Sequence, residues 1–441
     1  MKILYLTGGA GQMYCGSCLR DNALATELKS RGHDITLLPV YTPTRTDEEN
    51  VSADKVFFGG VSVYLEQHVP LFRILPNWFD RLWDSKAILQ LATRHSISTS
   101  PKTLGEMTVS MLKGEAGFQH KEIKKLLNWL KSDDRPDVVS IPYTLLLGLA
   151  KPIKETLGKP VCCTLQGEDL FLEGLQEPYR SESKELIRSH LEYVDAFISV
   201  SEYYAEFMPG YLGIPRNKIR LVPLGINLQG FERKSRPPSR PFTIGFFARV
   251  APEKGLHVLA KAYIRLRAKE TLTNARLQAA GYLAPEHRKY LDDIVRDLRS
   301  AGLADEFTYH GVVNREQKIS YLQSLDVLSV PATYDEPKGI FLIEAMGCGI
   351  PVVQPRRGGF IEIVEKTGGG LLVEPDNIDS LADGLLKVNR DPELAKRLSD
   401  DGFDRVRELY SVGRMADRAI EVYESLMESD VRYASACRDS R

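Results

Sequence analysis

The sequence predicts an α/β protein of two Rossmann-like, doubly wound domains that face each other across a cleft, with a helical insertion in the first domain. Short apolar strands alternate with helical stretches along most of the 441 residues, which is the pattern of a parallel sheet covered by helices. A basic, proline-rich segment at residues 233–241 divides this alternation into two series and is typical of a linker. Because such sheets bind ligands at the carboxyl ends of their strands, we expect the site in the cleft between the domains.

The first series begins at the N-terminus. An apolar strand at residues 2–7 ends in a glycine loop, residues 8–11, which a helix over 17–31 and a strand over 35–39 follow. Further strands are predicted at residues 137–140, 160–165, 196–200 and 219–222. We assign residues 1–232 to this domain and treat residues 42–134, where the alternation is interrupted, as its insertion.

The second series follows the linker and forms a domain at residues 242–410. Its strands are predicted at residues 242–247, 276–280, 307–310, 327–330, 351–354 and 370–373, and its helices at 255–269, 286–301, 317–325 and 341–348. A last helix over residues 411–430 is expected to cross back to the first domain.

Composition excludes several classes of protein. The formal net charge is -1, so no overall basic field attracts the chain to nucleic acid. No apolar run reaches the roughly 20 residues that a membrane span needs. Six cysteines in a chain of this length do not form a disulfide framework, and a reducing cytoplasm is expected. The pair Cys15 and Cys18 is read as a small-residue turn, with a redox or metal role as the alternative.

One amphipathic helix is predicted within the insertion. Its apolar stripe consists of Ile123, Leu126, Leu127 and Leu130, and lysines occupy the other face. The stripe either packs on its own domain or lies on a membrane surface, so that peripheral contact with the inner face of a membrane stays open.

The most informative segment follows the strand at 327–330. A loop leads to a helix that starts near Ile340, with Glu336 in the loop and Glu344 in the first turns of the helix. The free N–H groups of a helix N-terminus suit a diphosphate or sugar hydroxyls, and Gly339 allows close approach of a ligand to the backbone. The Glu344 carboxylate can accept hydrogen bonds from two vicinal ribose hydroxyls.

A second segment carries two cations. Arg249 and Lys254 lie in the loop after the strand at 242–247, just before a helix predicted to begin at Gly255. Two cations at a strand end can hold a diphosphate and neutralise the charge that grows on a leaving group.

These two segments resemble the motifs of the retaining glycosyltransferases of family 4, which have the GT-B fold. Glu336 and Glu344 stand at the two positions of the Glu-x7-Glu signature, and Arg249 with Lys254 matches the donor-phosphate motif. The resemblance implies that Glu344 binds the donor ribose and that Glu336 lies beside the transferred sugar. Lys338 stands where the family has an aromatic residue, which leaves recognition of the donor sugar open.

Other candidate site residues follow from the same resemblance. Gly9 and Gly11 would approach the donor phosphates, and Gln166 stands where family members have a histidine beside the transferred sugar. Glu168 and Asp169 either bind acceptor hydroxyls or cap the following helix. The remaining donor-binding candidates are His310, Lys338, Gly339 and Ile340, although His310 could instead pack or cap.

The resemblance implies a retaining glycosyltransferase, a hexosyltransferase that needs no metal and no cofactor. Its donor would be a UDP-, GDP- or ADP-linked sugar, and its acceptor a hydroxyl of a carbohydrate, lipid or small molecule. The alternatives are a nucleotide-sugar epimerase of the same fold and a non-catalytic sugar-binding module. The donor sugar, the base of the donor nucleotide, the acceptor and the oligomeric state stay open at the level of sequence.

Overall fold

The structure is a computed structural model that describes residues 1–9, 14–53, 56–59, 66–67, 101–132, 135–234, 240–268 and 272–439. Residues 54–55, 60–65, 68–100 and 133–134 of the predicted insertion and one site candidate, Gly11, therefore lie outside the described residues. The chain forms two compact units. Unit 1 comprises Met1–Pro223 and Met415–Arg441, and unit 2 comprises Leu224–Arg414.

Unit 1 is built on a parallel sheet whose described strands alternate with helices. Its strands β1–β6 are Lys2–Thr7, Asp34–Pro39, Val138–Ile141, Val161–Leu165, Ala196–Ser199 and Ile219–Leu221. Its helices α1–α7 are Gly16–Ser30, Pro101–Leu112, His120–Ser132, Ala150–Leu157, Asp169–Glu173, Tyr179–His190 and Glu202–Leu212. The strand order is β2-β1-β3-β4-β5-β6 and each neighbouring pair is parallel. The order reverses between β1 and β3, so the loops after these two strands diverge and leave a crevice.

The amphipathic helix predicted in the insertion is α3. Its four apolar side chains are buried and belong to the core of unit 1, at 1% exposure for Ile123 and 2% for Leu130. Packing on its own unit is therefore confirmed for this stripe, and none of these four side chains is left to enter a lipid surface. In the described part of the chain, no helix combines the length and apolar character needed to cross a membrane.

Unit 2 repeats the architecture with a different order. Its strands β7–β12 are Phe242–Phe247, Ala275–Ala280, Phe307–Tyr309, Val327–Leu328, Val352–Pro355 and Gly370–Val373. Its helices α8–α14 are Leu256–Ala268, Arg288–Ser300, Arg315–Gln323, Ile340–Gly347, Gly359–Thr367, Ile378–Arg390 and Pro392–Leu409. All paired strands are parallel in the order β12-β11-β10-β7-β8-β9. This is the Rossmann order, with its reversal between β7 and β10.

The last helix, α15, spans Val412–Asp439. From Met415 onward its residues belong to unit 1, where Met415, Ala419 and Tyr423 are buried. Arg31 at the end of α1 donates to the Asp417 carboxylate at 2.6 Å. The chain thus leaves unit 1 at Pro223 and returns to it through this helix.

Candidate active site

The candidate site in unit 2 lies where the strand order reverses. β7 and β10 are adjacent, and the loops that follow them carry the cations and the first acidic residue of the predicted site. Parallel neighbours end at the same edge of the sheet, so residues about 80 positions apart in sequence meet there.

A single turn of 3₁₀ helix, Pro252–Lys254, connects β7 to α8 and carries Lys254. It ends at Gly255, which has φ +78°, and α8 begins one residue later. A Cβ atom at Gly255 would lie 1.9 Å from the Pro331 carbonyl oxygen. Only glycine fits this contact between the loops after β7 and β10, because both the conformation and the space exclude a side chain.

Lys254 is the centre of a buried polar cluster. Its ammonium group donates to the Tyr334 hydroxyl at 2.6 Å and to Oε2 of Glu336. The Tyr334 hydroxyl donates to the same carboxylate oxygen, and Glu336 is only 3% exposed. The cluster therefore holds one cation and one carboxylate in direct contact, away from bulk water.

The environment keeps Glu336 ionised. Burial alone would raise the pKa of this carboxyl, but the charge and hydrogen bond of Lys254 and the Tyr334 hydroxyl outweigh burial and lower the pKa to about 2. The backbone N–H of Lys338 also donates to Oε1 at 3.3 Å. A carboxylate held in this way accepts hydrogen bonds and does not act as an acid near neutral pH.

Glu344 lies inside helix α11 and is 5% exposed. Its Oε1 accepts a hydrogen bond from Nζ of Lys318 at 2.6 Å, and the side chain of Lys318 is 5% exposed. Lys318 belongs to α10, so a second buried ion pair joins two neighbouring helices of unit 2.

Arg249, the other predicted cation, is on the surface of unit 2. Its Nη2 donates to Oε1 of Glu253 at 3.0 Å, four residues further on. The side chain is 43% exposed, so this ion pair is a solvated one that an anionic ligand can replace at low cost.

The start of helix α11 is as predicted at Ile340. Gly339 occupies the N-cap position with φ +65°. The preceding loop is fixed by Gly358 and Gly359, because a Cβ at Gly358 would meet the Glu336 carbonyl oxygen at 2.7 Å and Gly359 N–H donates to the same oxygen at 2.8 Å. The N-terminus of α11 therefore follows directly on the Glu336 loop.

His310 is an exposed residue after β9. One ring nitrogen lies 3.2 Å from Oε1 of Gln278, and the ring meets that of Tyr321 edge to face at 5.3 Å. Its backbone N–H donates to the carbonyl of Ala279. Partial burial lowers the pKa of its imidazole, so the ring is neutral near pH 7 and available for a hydrogen bond.

In unit 1 the candidate residues also follow strand ends. Gly9 comes after β1 with φ +71°, and a Cβ there would lie 1.9 Å from the Thr42 carbonyl oxygen. A Cβ at Gly8 would lie 2.8 Å from the Tyr143 hydroxyl, the far end of a side chain. The loops after β1 and β2 therefore touch at Gly9, where only glycine fits.

Gln166 and Glu168 form a buried polar site after β4. The Glu168 carboxylate accepts the backbone N–H of Gln166 at 2.9 Å and of Thr144 at 3.2 Å, and burial raises its pKa. Gln166 donates from Nε2 to the Pro142 carbonyl. Its Oε1 is buried and has no hydrogen-bond partner in the part of the chain that the structure describes. Asp169 accepts from the Tyr204 hydroxyl at 2.7 Å. Glu168 holds the N-cap position of α5, but its side chain makes no capping bond.

Three residues of the site were not predicted from the sequence: Tyr334, Lys318 and Thr144. Lys318 had a detectable signal, because it lies three and four positions before Tyr321 and Leu322 on the buried face of α10. Tyr334 and Thr144 meet their partners only through loop geometry. Among the described residues, no group of three or more histidine, cysteine, aspartate or glutamate side chains is arranged to hold a metal ion. A hydrogen bond with the Cys15 side chain raises the pKa of the Cys18 thiol.

Solved structures share the architecture of two parallel sheets. Sucrose-phosphate synthase from Thermosynechococcus elongatus matches with a TM-score of 0.71 and 18% identity, over 97% of this chain and 100% of its own. HepE from Anabaena, in complex with UDP, matches with a TM-score of 0.67 and 17% identity over the same shares. This protein therefore has the GT-B fold of glycosyltransferases.

Two family profiles then specify the group. The profile described as Glycosyltransferase Family 4 matches residues 108–229, and the one described as Glycosyl transferases group 1 matches residues 229–405. They adjoin and together cover more than half of the 441 residues. The chain belongs to glycosyltransferase family 4.

Curated relatives agree with this assignment. A D-inositol 3-phosphate glycosyltransferase of Mycolicibacterium smegmatis is 28% identical over 46% of this chain and 48% of its own length. An uncharacterized glycosyltransferase of Methanocaldococcus jannaschii is 28% identical over 57% and 66%. An MMP alpha-(1→4)-mannosyltransferase of Mycolicibacterium hassiacum is 27% identical over 52% and 54%. The chain thus spans about half to two thirds of these relatives' lengths.

Proposed function

We propose that this protein is a retaining hexosyltransferase that moves a sugar from a nucleoside diphosphate donor to a hydroxyl group of an acceptor, without a metal ion. The observation that carries the proposal is the Lys254–Tyr334–Glu336 cluster at the strand-order reversal of unit 2. It combines a cation for the donor phosphates with an ionised carboxylate for the sugar, beside the N-terminus of α11.

The donor diphosphate would be held by Lys254, Arg249 and the first N–H groups of α11. Arg249 would exchange its solvated contact with Glu253 for the diphosphate. The two cations would stabilise the charge that forms when the bond between the sugar C1 atom and the phosphate oxygen breaks. This stabilisation is the role that a divalent metal has in other transferases, which supports metal independence.

The anomeric configuration would be retained because the leaving phosphate oxygen itself accepts the proton of the acceptor hydroxyl. The acceptor oxygen bonds to C1 on the face that the phosphate leaves, and the acceptor proton passes to the leaving phosphate oxygen. Glu336, ionised with a pKa of about 2, would accept hydrogen bonds from hydroxyls of the transferred sugar. Glu344 would accept from the ribose hydroxyls. The contribution of the protein is then orientation and charge stabilisation.

Unit 1 supplies sites for further hydroxyls. Among the described residues, the buried Oε1 of Gln166 has no hydrogen-bond partner, which is unfavourable, and the buried Thr144 hydroxyl lies at the Glu168 carboxylate. A sugar or acceptor hydroxyl that donates to Oε1 of Gln166 would satisfy it. Glu168 fixes the backbone of both residues, and Asp169 at the start of α5 is the acceptor-binding candidate next to them.

The ligands and activities of similar proteins support the substrate class. Anabaena HepE was solved with UDP and with UDP-glucose, and the curated relatives include glycosyltransferases of inositol 3-phosphate and a mannosyltransferase. A nucleotide-linked hexose as donor and a small polar alcohol as acceptor are therefore the first candidates.

The proposal is tested by nucleotide release from UDP-, GDP- and ADP-linked hexoses in the presence of a panel of sugar, inositol and sugar-phosphate acceptors. We expect one donor to give acceptor-dependent release, a product with the anomeric configuration of the donor by NMR, and the same rate in EDTA. An inverted product, or a loss of more than about tenfold in EDTA, would contradict the proposed mechanism.

The variant Arg249→Ala tests whether this exposed arginine takes part in sugar transfer. We expect transfer to fall by about a hundredfold or more, since removing one group that stabilises transition-state charge costs about 10²–10³ in kcat. The matched control is Arg296→Ala, which removes an exposed arginine whose ion pair with Asp293 lies on α9. Near wild-type transfer by Arg249→Ala would remove its assigned role.

A further inference from the structure

Lys318 is a buried lysine that the proposed chemistry does not use. It is 4% exposed, it donates to Oε1 of Glu344 at 2.6 Å, and its ammonium group lies 5.7 Å from the centre of the Phe231 ring. Lysine is almost never fully buried unless it is paired, because removing an ammonium group from water is costly. Apolar side chains of similar size would often stabilise a fold as well as a buried ion pair does. The presence of Lys318 next to Glu344 therefore suggests a role in the site.

Helix α10 is held firmly enough to position this side chain. Asn314 and Gln317 form a capping box at its start. Arg315 donates to the backbone carbonyls of Asn227 and Gln229 at 2.9 Å each, which fixes the segment that carries Phe231 against the helix. The aliphatic stem and ammonium group of Lys318 are therefore enclosed between a fixed aromatic ring and the Glu344 carboxylate.

We propose that Lys318 is a positioning residue that presents Glu344 to the ribose of the donor, so that the site selects ribonucleoside over 2′-deoxyribonucleoside diphosphates. The inference rests on the proposed function. The ion pair holds the carboxylate in one orientation and offsets its charge while the diphosphate is absent. A carboxylate fixed in this way accepts hydrogen bonds from the 2′ and 3′ hydroxyls at a smaller entropic cost than a mobile one.

The preference for a ribonucleotide follows from a hydrogen bond to Glu344 that a 2′-deoxyribonucleotide cannot make. When the 2′ hydroxyl is missing, the buried carboxylate loses a partner that water cannot easily replace. A hydrogen bond to a charged group corresponds to a preference of about tenfold or more. Loss of Lys318 frees the Glu344 side chain to turn away, which removes the preference and weakens binding of the ribonucleotide.

The experiment measures binding of UDP, GDP and ADP and of their 2′-deoxy counterparts by calorimetry. We expect the wild-type protein to prefer the ribonucleotide about tenfold or more, and Lys318→Met to lower this preference below about threefold. Lys318→Arg keeps a cation next to Glu344 and should retain more than half of the preference. The control Arg267→Met removes a cation paired with Glu306, the residue before β9, and should leave the ratio unchanged.

A double-mutant cycle tests whether Lys318 acts through Glu344. The variant with Lys318→Met and Glu344→Gln together removes both charges, so it avoids the unpaired buried carboxylate that could unfold the single variant. Its affinity for UDP should equal that of Glu344→Gln alone within about twofold. An unchanged preference in folded Lys318→Met, or additive losses in the cycle, overturns this inference alone. Absence of nucleotide binding to the wild-type protein overturns the proposed function.

Discussion

Glu336 and Lys254 form an ion pair from which water is largely excluded, at 3% and 9% exposure. Their sequence neighbours identified both residues as candidates, through the resemblance of two short motifs. The direct contact between them, and the part of Tyr334 in it, depends on two loops that lie about 80 residues apart in the chain. At this scale the sequence predicts residue types and the fold determines their partners.

The low pKa of Glu336 predicts how the stability of the folded protein depends on pH. Its pKa is lowered from 4.5 to about 2, so the carboxylate stabilises the folded protein fully above pH 4.5 and less as the pH falls toward 2. The urea midpoint of the wild-type protein should therefore fall more between about pH 6 and pH 3 than that of Glu336→Gln. The control Glu365→Gln, with a side chain 55% exposed, should behave as the wild type. Equal falls for wild type and Glu336→Gln would show that the carboxylate is not held in this way.

At the scale of elements, the site depends on short connections that bring strand ends together. Gly255 joins the 3₁₀ turn of Lys254 to α8, and Gly339 starts α11 beside the Glu336 loop. Both have positive φ, and Gly255 also touches the loop after β10. The sequence predicted both helices and the importance of Gly339, but the contact that Gly255 makes with Pro331 depends on neighbouring strands.

Gly255→Ala should destabilise the folded protein much more than an alanine substitution at a glycine that has a positive φ but no close neighbour. Gly302→Ala is the matched control, because Gly302 has φ +73° and nothing within 4 Å of its missing side chain. The control should lose about 1–2 kcal/mol, the cost of the left-handed conformation. Gly255→Ala should lose more, because the Pro331 carbonyl must also move, and should reduce transfer. Equal losses in thermal unfolding would contradict the packing argument.

At the scale of the whole molecule, the proposed donor residues are concentrated in one unit. Arg249, Lys254, Glu336 and Glu344 all belong to unit 2, which has the Rossmann strand order, whereas Gln166 and Glu168 belong to unit 1. In the proposed function, unit 2 would bind the donor nucleotide and unit 1 would bind the acceptor. Each unit has its own sheet, and the last helix returns the chain to unit 1.

Hydrogen exchange tests whether unit 2 binds the donor nucleotide. Adding UDP, GDP or ADP at saturation should slow amide exchange most in the loops after β7 and β10, at residues 248–256 and 331–345. Helix α9 of the same unit serves as the internal control and should change little. Ligand binding at 100 times Kd adds about 2.7 kcal/mol of stability, which is enough to detect by thermal unfolding as well. The largest protection in the loops of unit 1 would contradict donor binding by unit 2.

The sequence alone determined the two α/β series, the six strands of each unit, and the helix that begins at Ile340. These features follow from local apolar runs and glycine positions, which act within a few residues. Only the tertiary structure decided that Lys318 pairs with Glu344 and that Tyr334 joins Lys254 and Glu336. The reason is physical: strand order at a sheet edge brings distant loops together, and no local pattern encodes that order.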